Sequence, residues 1–215
     1  MEQKGVLFIV CGPSGVGKST LCDRLLDEFE RIQFSVSYTT RAPREGEIDG
    51  EDYHFVDDET FDEMVESNRF AEWAKVHGNK YGTSFDVIES AWDDDRDLLF
   101  DIDYQGARQL KESYPDSTGV FIIPPDMRAL EDRLRGRDKD SKAVIERRIH
   151  NAREELAQYE LFEFIVENDE LERAYDVLSS IYVAARHRRH LQADRIERLL
   201  APSRRTRDRH SGGDQ

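Results

Sequence analysis

The sequence is poor in cysteine, lysine and long apolar runs. Of its 215 residues only two are Cys, and 7 Lys stand against 24 Arg. Cys11 and Cys22 cannot build a disulfide framework, and no His or further Cys lies at metal-ligand spacing from them. The apolar run 6–10 is too short for a secretory signal or a membrane span. These absences predict a soluble, cytoplasmic protein with reduced cysteines.

Positive charge is also scarce, except at one end of the chain. The formal net charge is −15; residues 186–215 carry a local +5, so the remaining body carries −20. Such a body disfavours non-specific binding to nucleic acid or to an anionic membrane surface. Acidic runs at 57–59 and 93–95 predict solvated surface. They suit either a salty cytoplasm or an ordinary acidic protein, and the sequence leaves both open.

Four short apolar runs alternate with helical periodicity, which predicts an α/β fold with a parallel sheet core flanked by helices. The predicted strands are 6–10, 98–103, 119–123 and 164–166. Residues 34–86 have a different, mixed pattern. It includes an alternating segment at 34–38, a short helix capped by Thr60 and a hairpin around Gly78-Asn79. We therefore expect one domain over residues 1–200 with an inserted subdomain at 34–86, and a disordered basic tail at 201–215.

The strongest motif follows the first strand and opens a helix. Residues 12–19 read Gly-Pro-Ser-Gly-Val-Gly-Lys-Ser and match the P-loop pattern G-x-x-x-x-G-K-[ST] in full. Glycines let backbone N–H groups approach phosphate oxygens, and the helix directs its positive end at the same anion. A chance match in a turn is disfavoured because a buried strand precedes the motif. The predicted ATP contacts are Gly12, Pro13, Ser14, Gly15, Val16, Gly17, Lys18, Ser19 and Thr20.

A second phosphate site is indicated further along the chain. Arg41, Arg44 and Tyr53 surround a turn-rich stretch, and arginine forks bind phosphate through two hydrogen bonds. A solvated loop with surface arginines would explain the same residues. The upstream P-loop favours a site for a dianionic monophosphate.

Five motifs resemble the guanylate kinase family, in the same order and at similar spacings. They are Gly-Pro-Ser-Gly-x-Gly-Lys-Ser-Thr, Ser-Val-Ser-x-Thr-Thr-Arg-x-Pro-Arg-x-Gly-Glu, Gly-x-x-Tyr-x-Phe, Gly-Asn-x-Tyr-Gly-Thr and Asp-Ile-Asp-x-Gln-Gly. The similarity covers nearly the whole chain, from about residue 6 to about residue 200. It implies a free-standing bacterial-type enzyme that transfers the γ-phosphoryl group of ATP to GMP with Mg²⁺, acting as a monomer or homodimer.

The resemblance also implies roles for individual residues. The GMP-binding set comprises Ser37, Arg41, Arg44, Tyr53, Glu72, Tyr81, Thr83, Asp101 and Asp103. Within it Arg41, Arg44, Tyr53 and Tyr81 hold the phosphate, and Glu72 reads guanine. Asp101, with Ser19, is expected to organise Mg²⁺, and the division of roles between Asp101 and Asp103 stays open. The implied catalytic set is Lys18, Arg41, Arg133, Arg137 and Arg148. Asn168 is expected near the adenine ring.

The resemblance divides the domain into three functional parts. The core comprises residues 1–33, 87–125 and 161–200, the GMP-binding subdomain 34–86, and a helical lid 126–160. The sequence departs from the family pattern at Arg137-Asp138, where Arg followed by Gly is expected. Two other functions remain to be excluded: a non-catalytic phosphopeptide-binding module of the same fold, and a kinase acting on a sugar phosphate.

Overall fold

The computed structural model describes residues 4–76, 78–137 and 142–201. Two sheets are formed. The larger has five parallel strands in the order β2-β7-β1-β8-β9. These strands are β1 (Leu7–Cys11), β2 (Ile32–Phe34), β7 (Asp97–Asp101), β8 (Thr118–Ile123) and β9 (Phe164–Glu167). The α/β class predicted from the alternating pattern is therefore confirmed.

Helices cover both faces of this sheet. On one face lie α1 (Lys18–Glu28) and α7 (Leu171–Arg186), and on the other lie α3 (Phe85–Asp93) and α4 (Tyr104–Ser113). Helices α5 (Met127–Arg137) and α6 (Lys142–Leu156) pack against each other in a separate small cluster, and α8 (Ala193–Leu200) follows α7. Successive side chains of a strand point to opposite faces. In β1, Phe8 and Val10 therefore pack with α1 and α7, while Leu7 and Ile9 pack with α3 and α4. None of the described helices combines the length and apolar character needed to cross a membrane.

The smaller sheet has four strands in the order β4-β3-β6-β5. They are β3 (Tyr38–Thr39), β4 (His54–Phe55), β5 (Phe70–Val76) and β6 (Asn79–Ser84), with α2 (Asp58–Glu66) between β4 and β5. Strands β5 and β6 pair antiparallel, which confirms the predicted hairpin. Phe61 and Met64 of α2 pack with Phe70 of β5 in a separate small core.

Two local predictions in this region are wrong. Residues 34–38 are not one strand: Ile32–Phe34 pairs with β7 of the large sheet, and pairing in the small sheet begins at Tyr38. Asp57, rather than Thr60, caps α2, because its carboxylate accepts the Thr60 N–H at 2.8 Å. A carboxylate at this position also interacts favourably with the positive end of the helix.

A buried carboxylate joins several elements at the amino ends of the large sheet. Asp97 is 1 % exposed and accepts hydrogen bonds from Val6 N and Tyr182 Oη, each at 2.8 Å. Its Oδ2 also lies 3.4 Å from Nε of Arg31 and 3.2 Å from Nε of Arg186. The start of β1, the start of β7 and helix α7 are thereby held together, on the side of the sheet away from the P-loop.

Candidate active site

A cavity of about 350 Å³ lies between the P-loop and the small sheet, at the carboxyl ends of β1 and β7. Ligands of open α/β sheets bind at this edge. The predicted residues that line the cavity are Gly12, Ser14, Gly15, Gly17, Lys18, Ser19, Ser37, Tyr53, Glu72, Tyr81, Asp101 and Asp103. Residues predicted for the ATP site and residues predicted for the GMP site therefore line the same cavity.

The P-loop is shaped by glycines in left-handed conformations. Gly12 has φ 144° and Gly17 has φ 99°, which side chains rarely adopt. A Cβ on Gly17 would collide with the amide nitrogen of Asn168. The side chain of Val16 is buried in the core, Pro13 is buried beside it, and Thr20 is exposed on α1. Pro13, Val16 and Thr20 are the three predicted ATP contacts of the loop that do not line the cavity.

Lys18 stands at the centre of the P-loop. Its Nζ donates to Gly12 O at 2.9 Å and lies 3.8 Å from Oδ1 of Asp101. Burial raises the pKa of Asp101, and the neighbouring Lys18 acts in the opposite direction. Lys18 is therefore held between the loop and a strand end, facing the space that phosphate groups would occupy.

The oxygen donors beside Lys18 are suited to Mg²⁺. The Ser19 hydroxyl and the Asp101 carboxylate line the same part of the cavity. Mg²⁺ prefers oxygen ligands and usually takes only one or two from the protein, the rest from phosphates and water. No group of three or more His, Cys, Asp or Glu suited to a metal is found in the described part of the chain. This short donor set therefore fits a metal that arrives with a nucleotide.

Two side chains tie the P-loop to neighbouring elements. Asn168 follows β9 and donates from Nδ2 to Val16 O at 2.8 Å. Arg133 of α5 donates to the carbonyl oxygens of Val16, at 3.3 Å, and Asn168, at 2.8 Å. The buried amide of Asn168 is thus engaged with the P-loop, and Asn168 does not line the cavity.

Helix α6 also lies against the P-loop. Arg148 donates from Nη2 to Ser14 Oγ at 3.0 Å. Seven residues later, and so on the same helical face, Glu155 lines the cavity and hydrogen-bonds the Ser14 backbone. Burial raises the pKa of Glu155. The predicted Arg137 ends α5, and its side chain, like the departure at Asp138, lies outside the described residues.

A buried carboxylate on the small sheet also lines the cavity. Glu72 of β5 is 3 % exposed and pairs across the hairpin with Thr83. Thr83 is fully buried, hydrogen-bonds Glu72, and its Oγ1 lies 3.2 Å from Oγ of Ser37. Burial raises the pKa of Glu72 to about 7, against the lowering effect of the Thr83 hydrogen bond. Glu72 is thus a fixed acceptor with two hydroxyl groups beside it.

Asp103 lines the cavity and also caps a helix. Its Oδ1 accepts the N–H groups of Gln105 and Gly106, at 3.0 and 2.9 Å, and so caps α4. Asp101 and Asp103 therefore differ in surroundings: Asp101 faces Lys18, whereas Asp103 is held by the first turn of a helix and raises the pKa of Glu72.

The predicted phosphate clamp centres on Arg41. Its guanidinium binds both carboxylate oxygens of Glu47, at 2.8 and 2.9 Å, and lies 5.2 Å from the ring centroid of Tyr53. The pair with Glu47 raises the pKa of Arg41, to which Tyr81 also contributes, and lowers that of Glu47. Arg44 is exposed, and its backbone N–H donates to Glu47 at 2.7 Å. Glu47 thus orders the loop that carries both arginines.

Sequence reasoning missed Glu47 and Glu155. Glu47 is the last residue of the second family motif, so the motif contained it without assigning it a role. Glu155 could have been found from helical periodicity, because it lies two turns after Arg148 on the same face.

Comparison with known proteins agrees with this geometry. A family model described as guanylate kinase matches residues 4–185. The chain belongs to the guanylate kinase family. The guanylate kinase of Nitratidesulfovibrio vulgaris is 52 % identical over 182 residues, covering 85 % of this chain and 88 % of that protein.

Two further guanylate kinases cover nearly the whole chain. That of Geobacter sulfurreducens is 44 % identical over 201 residues, which are 94 % of this chain and 99 % of that protein. The crystal structure of guanylate kinase from Anaplasma phagocytophilum superimposes with a TM-score of 0.74 at 32 % identity, covering 93 % of this chain and 96 % of that one. The guanylate kinase fold expected from the motifs is therefore confirmed.

Proposed function

We propose that the chain is a guanylate kinase, an ATP:GMP phosphotransferase that moves the γ-phosphoryl group of ATP to GMP in the presence of Mg²⁺. The observation that carries this proposal is the shared cavity. Its lining includes a complete P-loop with Lys18 and the buried carboxylate of Glu72. A phosphoryl donor and a purine monophosphate can therefore meet within one cavity.

The donor side is the P-loop. Its backbone N–H groups and the positive end of α1 would hold the ATP phosphates, and Lys18 would contact the transferred group. Ser19 and Asp101 would hold Mg²⁺. When bound, the ion screens the negative charge of the phosphates.

The acceptor side is the small sheet with its loop. Arg41 and Arg44 would bind the GMP phosphate, with the hydroxyls of Tyr53 and Tyr81 as further donors. Glu47 already holds the Arg41 fork by two hydrogen bonds, so the incoming phosphate must share or replace this partner.

Glu72 would select the base. Guanine offers two adjacent donors, N1–H and the exocyclic amine, which match the two oxygens of an ionised carboxylate. Adenine offers no such pair, so its binding would leave a buried charge without a partner. Ser37 and Thr83 lie beside Glu72 and would complete the polar contacts to the base.

Transfer itself needs no covalent intermediate. An oxygen of the GMP phosphate forms a bond to the γ-phosphorus while the bond from that phosphorus to the β-bridging oxygen breaks. ADP leaves with the electron pair of the broken bond, and GDP is formed. Catalysis is then a matter of positioning and charge stabilisation.

The lid supplies further positive charge. Arg133 and Arg148 already contact the P-loop at Val16 O and Ser14 Oγ. With Arg137 they would turn towards the equatorial oxygens of the transferred group when α5 and α6 close over ATP. Closure would also exclude water and so prevent simple hydrolysis.

A coupled assay of ADP release tests the proposal against its rivals. We expect turnover with ATP, Mg²⁺ and GMP, and turnover at least about 100-fold slower with AMP, UMP or ribose phosphate. Preference for ribose phosphate would indicate a sugar-phosphate kinase. No turnover with any acceptor, together with binding of a phosphopeptide, would indicate the non-catalytic module.

A further inference from the structure

Gly106 lies directly beneath the carboxylate of Glu72. It is buried in the first turn of α4, and its N–H is taken by the capping Asp103. A Cβ added to Gly106 would lie less than 3.0 Å from Oε2 of Glu72 and 3.2 Å from its Cδ. Real Cβ atoms are almost never found that close to another heavy atom, so the present position of Glu72 requires a residue without a side chain.

Backbone conformation does not explain this glycine. Gly106 is absent from the glycines with positive φ, and alanine is the better helix former. Its third neighbour, Cδ1 of Ile102, would be 3.5 Å from the added Cβ, which is an ordinary contact. The conflict is therefore with one functional group, the carboxylate of Glu72.

The atoms in conflict decide what a substitution would disturb. Oε2 is the far end of a flexible side chain, so it can move without displacing backbone. The remaining walls around Glu72 are rigid: the residue is 3 % exposed and hydrogen-bonds the fully buried Thr83. A methyl group at position 106 would thus leave the fold intact but turn the carboxylate away from its present direction.

We propose that Gly106 is a positioning residue for base recognition, whose missing side chain lets the Glu72 carboxylate rest on the first turn of α4 and face the acceptor base. The inference rests on the proposed function, since it assigns guanine recognition to Glu72. It adds a determinant that never touches the substrate.

The test is Gly106→Ala, assayed with GMP and with IMP, which lacks the exocyclic amine. We expect kcat/KM for GMP to fall at least about 10-fold and the preference for GMP over IMP to shrink by a similar factor. The KM for ATP should stay within about twofold of wild type, because a base-side change does not alter donor binding. The melting temperature should fall by no more than a few degrees, since the conflict is relieved by a side-chain movement and not by a shift of backbone.

Gly136→Ala is the matched control for the change in helix propensity. Gly136 lies in α5, and a Cβ there would meet no atom within 4 Å. It should raise or preserve the melting temperature and leave the preference for GMP over IMP unchanged.

A double-mutant cycle separates positioning from other effects. In a Glu72→Ala background the added Gly106→Ala change should cost no further GMP affinity, measured calorimetrically, because the group it displaces is gone. Equal losses in both backgrounds, or an unchanged GMP:IMP preference in Gly106→Ala, would overturn the inference. Failure of the wild-type chain to phosphorylate GMP would instead overturn the proposed function.

Discussion

At the scale of single residues, Lys18 should stabilise the phosphoryl group that ATP donates. Lys18→Ala should lower kcat at least about 100-fold, since a group that stabilises transferred charge is worth several kcal/mol. The fold should survive, with a melting temperature within a few degrees of wild type, because Lys18 lines the cavity and its loss opens no hole in the apolar core. Lys75→Ala, which removes an exposed lysine of β5, is the control. A Lys18→Ala enzyme with more than about a tenth of wild-type kcat would contradict the assignment.

Glu72 should give GMP use a distinctive pH dependence. Its pKa is raised to about 7, and only the ionised form can accept two guanine hydrogen bonds. We expect kcat/KM for GMP to level off above about pH 8 and to be about fourfold lower at pH 6.5, where about a quarter of a carboxylate with this pKa is ionised. Measurement between pH 6.5 and 8.5 avoids most of the titration of the substrate phosphate near pH 6. Glu72→Gln should lose most of its activity with GMP, and its remaining kcat/KM should no longer fall as the pH is lowered.

The same carboxylate should reduce stability at high pH. Unfolding returns the pKa of Glu72 from about 7 to near 4.5, so the folded state binds more protons between these values. Stability from this group therefore falls as pH rises from about 4.5 to about 7 and stays at its low value above 7. In thermal melts without nucleotide, Glu72→Gln should have a higher melting temperature than wild type at pH 8. The two melting temperatures should converge by pH 5. Glu59→Gln, an exposed change on α2, should show neither effect.

At this scale the sequence predicted residue identities better than residue contacts. Twelve of the predicted ATP and GMP residues line the cavity, because family motifs fix their positions. Glu155 and Gly106 were not predicted. Helical periodicity places Glu155 on the face of Arg148, and Gly106 ends the fifth family motif, but the sequence assigned neither a role. Which helix face meets the P-loop, and how closely Glu72 approaches α4, are properties of packing.

At the scale of elements, the loop between β3 and β4 should contribute to the binding of GMP and not to the binding of ATP. Arg41→Met should raise the KM for GMP about 10- to 100-fold, since hydrogen bonds to charged groups contribute about 1.5–3 kcal/mol. It would also leave Glu47 without its cation near the phosphate. The KM for ATP should hardly change. Arg69→Met, which removes an exposed arginine paired with Asp86, is the control. Equal effects on both nucleotides would mean that the loop supports the whole fold.

The junction around Asp97 should govern stability without affecting chemistry. Asp97→Asn should destabilise by about 3 kcal/mol, the lower end for breaking a buried ion pair, because Arg31 and Arg186 are partly exposed. Folded enzyme at 25 °C should keep wild-type kcat, since this site is at the opposite edge of the sheet. Asp95→Asn, whose exposed carboxylate also binds Arg31, should cost less than about 1 kcal/mol. Denaturant unfolding of both variants checks this difference, and equal losses would contradict it.

The large elements were predictable and the edge elements were not. Continuous apolar runs revealed β1, β7, β8 and β9. Strand β2 has only three residues and is exposed at Phe34, so it lacks an apolar run. Its place beside β7 is decided by tertiary pairing, which local pattern does not reveal.

At the scale of the whole molecule, the excess of negative charge should make stability depend on salt. The chain has 46 acidic and 31 basic residues, and ion pairs such as Arg24–Glu172 and Lys4–Asp93 lie at the surface. Raising KCl from 0.1 to 1 M shortens the screening length from about 10 to about 3 Å. We expect self-repulsion to weaken more than these exposed pairs, so that the melting temperature rises. A lower melting temperature in 1 M KCl would contradict this expectation.

The proposed function requires that one cavity bring the γ-phosphoryl group of ATP to the phosphate of GMP. The group is then transferred directly to GMP and is not released to water. The most direct test follows the phosphorus itself, by incubating the protein with Mg²⁺, GMP and ATP labelled at the γ-position with ³²P and separating the products. We expect the label to appear in GDP, in amounts equal to the ADP formed, and inorganic phosphate to stay at background. Label released as inorganic phosphate, or ADP formed without labelled GDP, would contradict it.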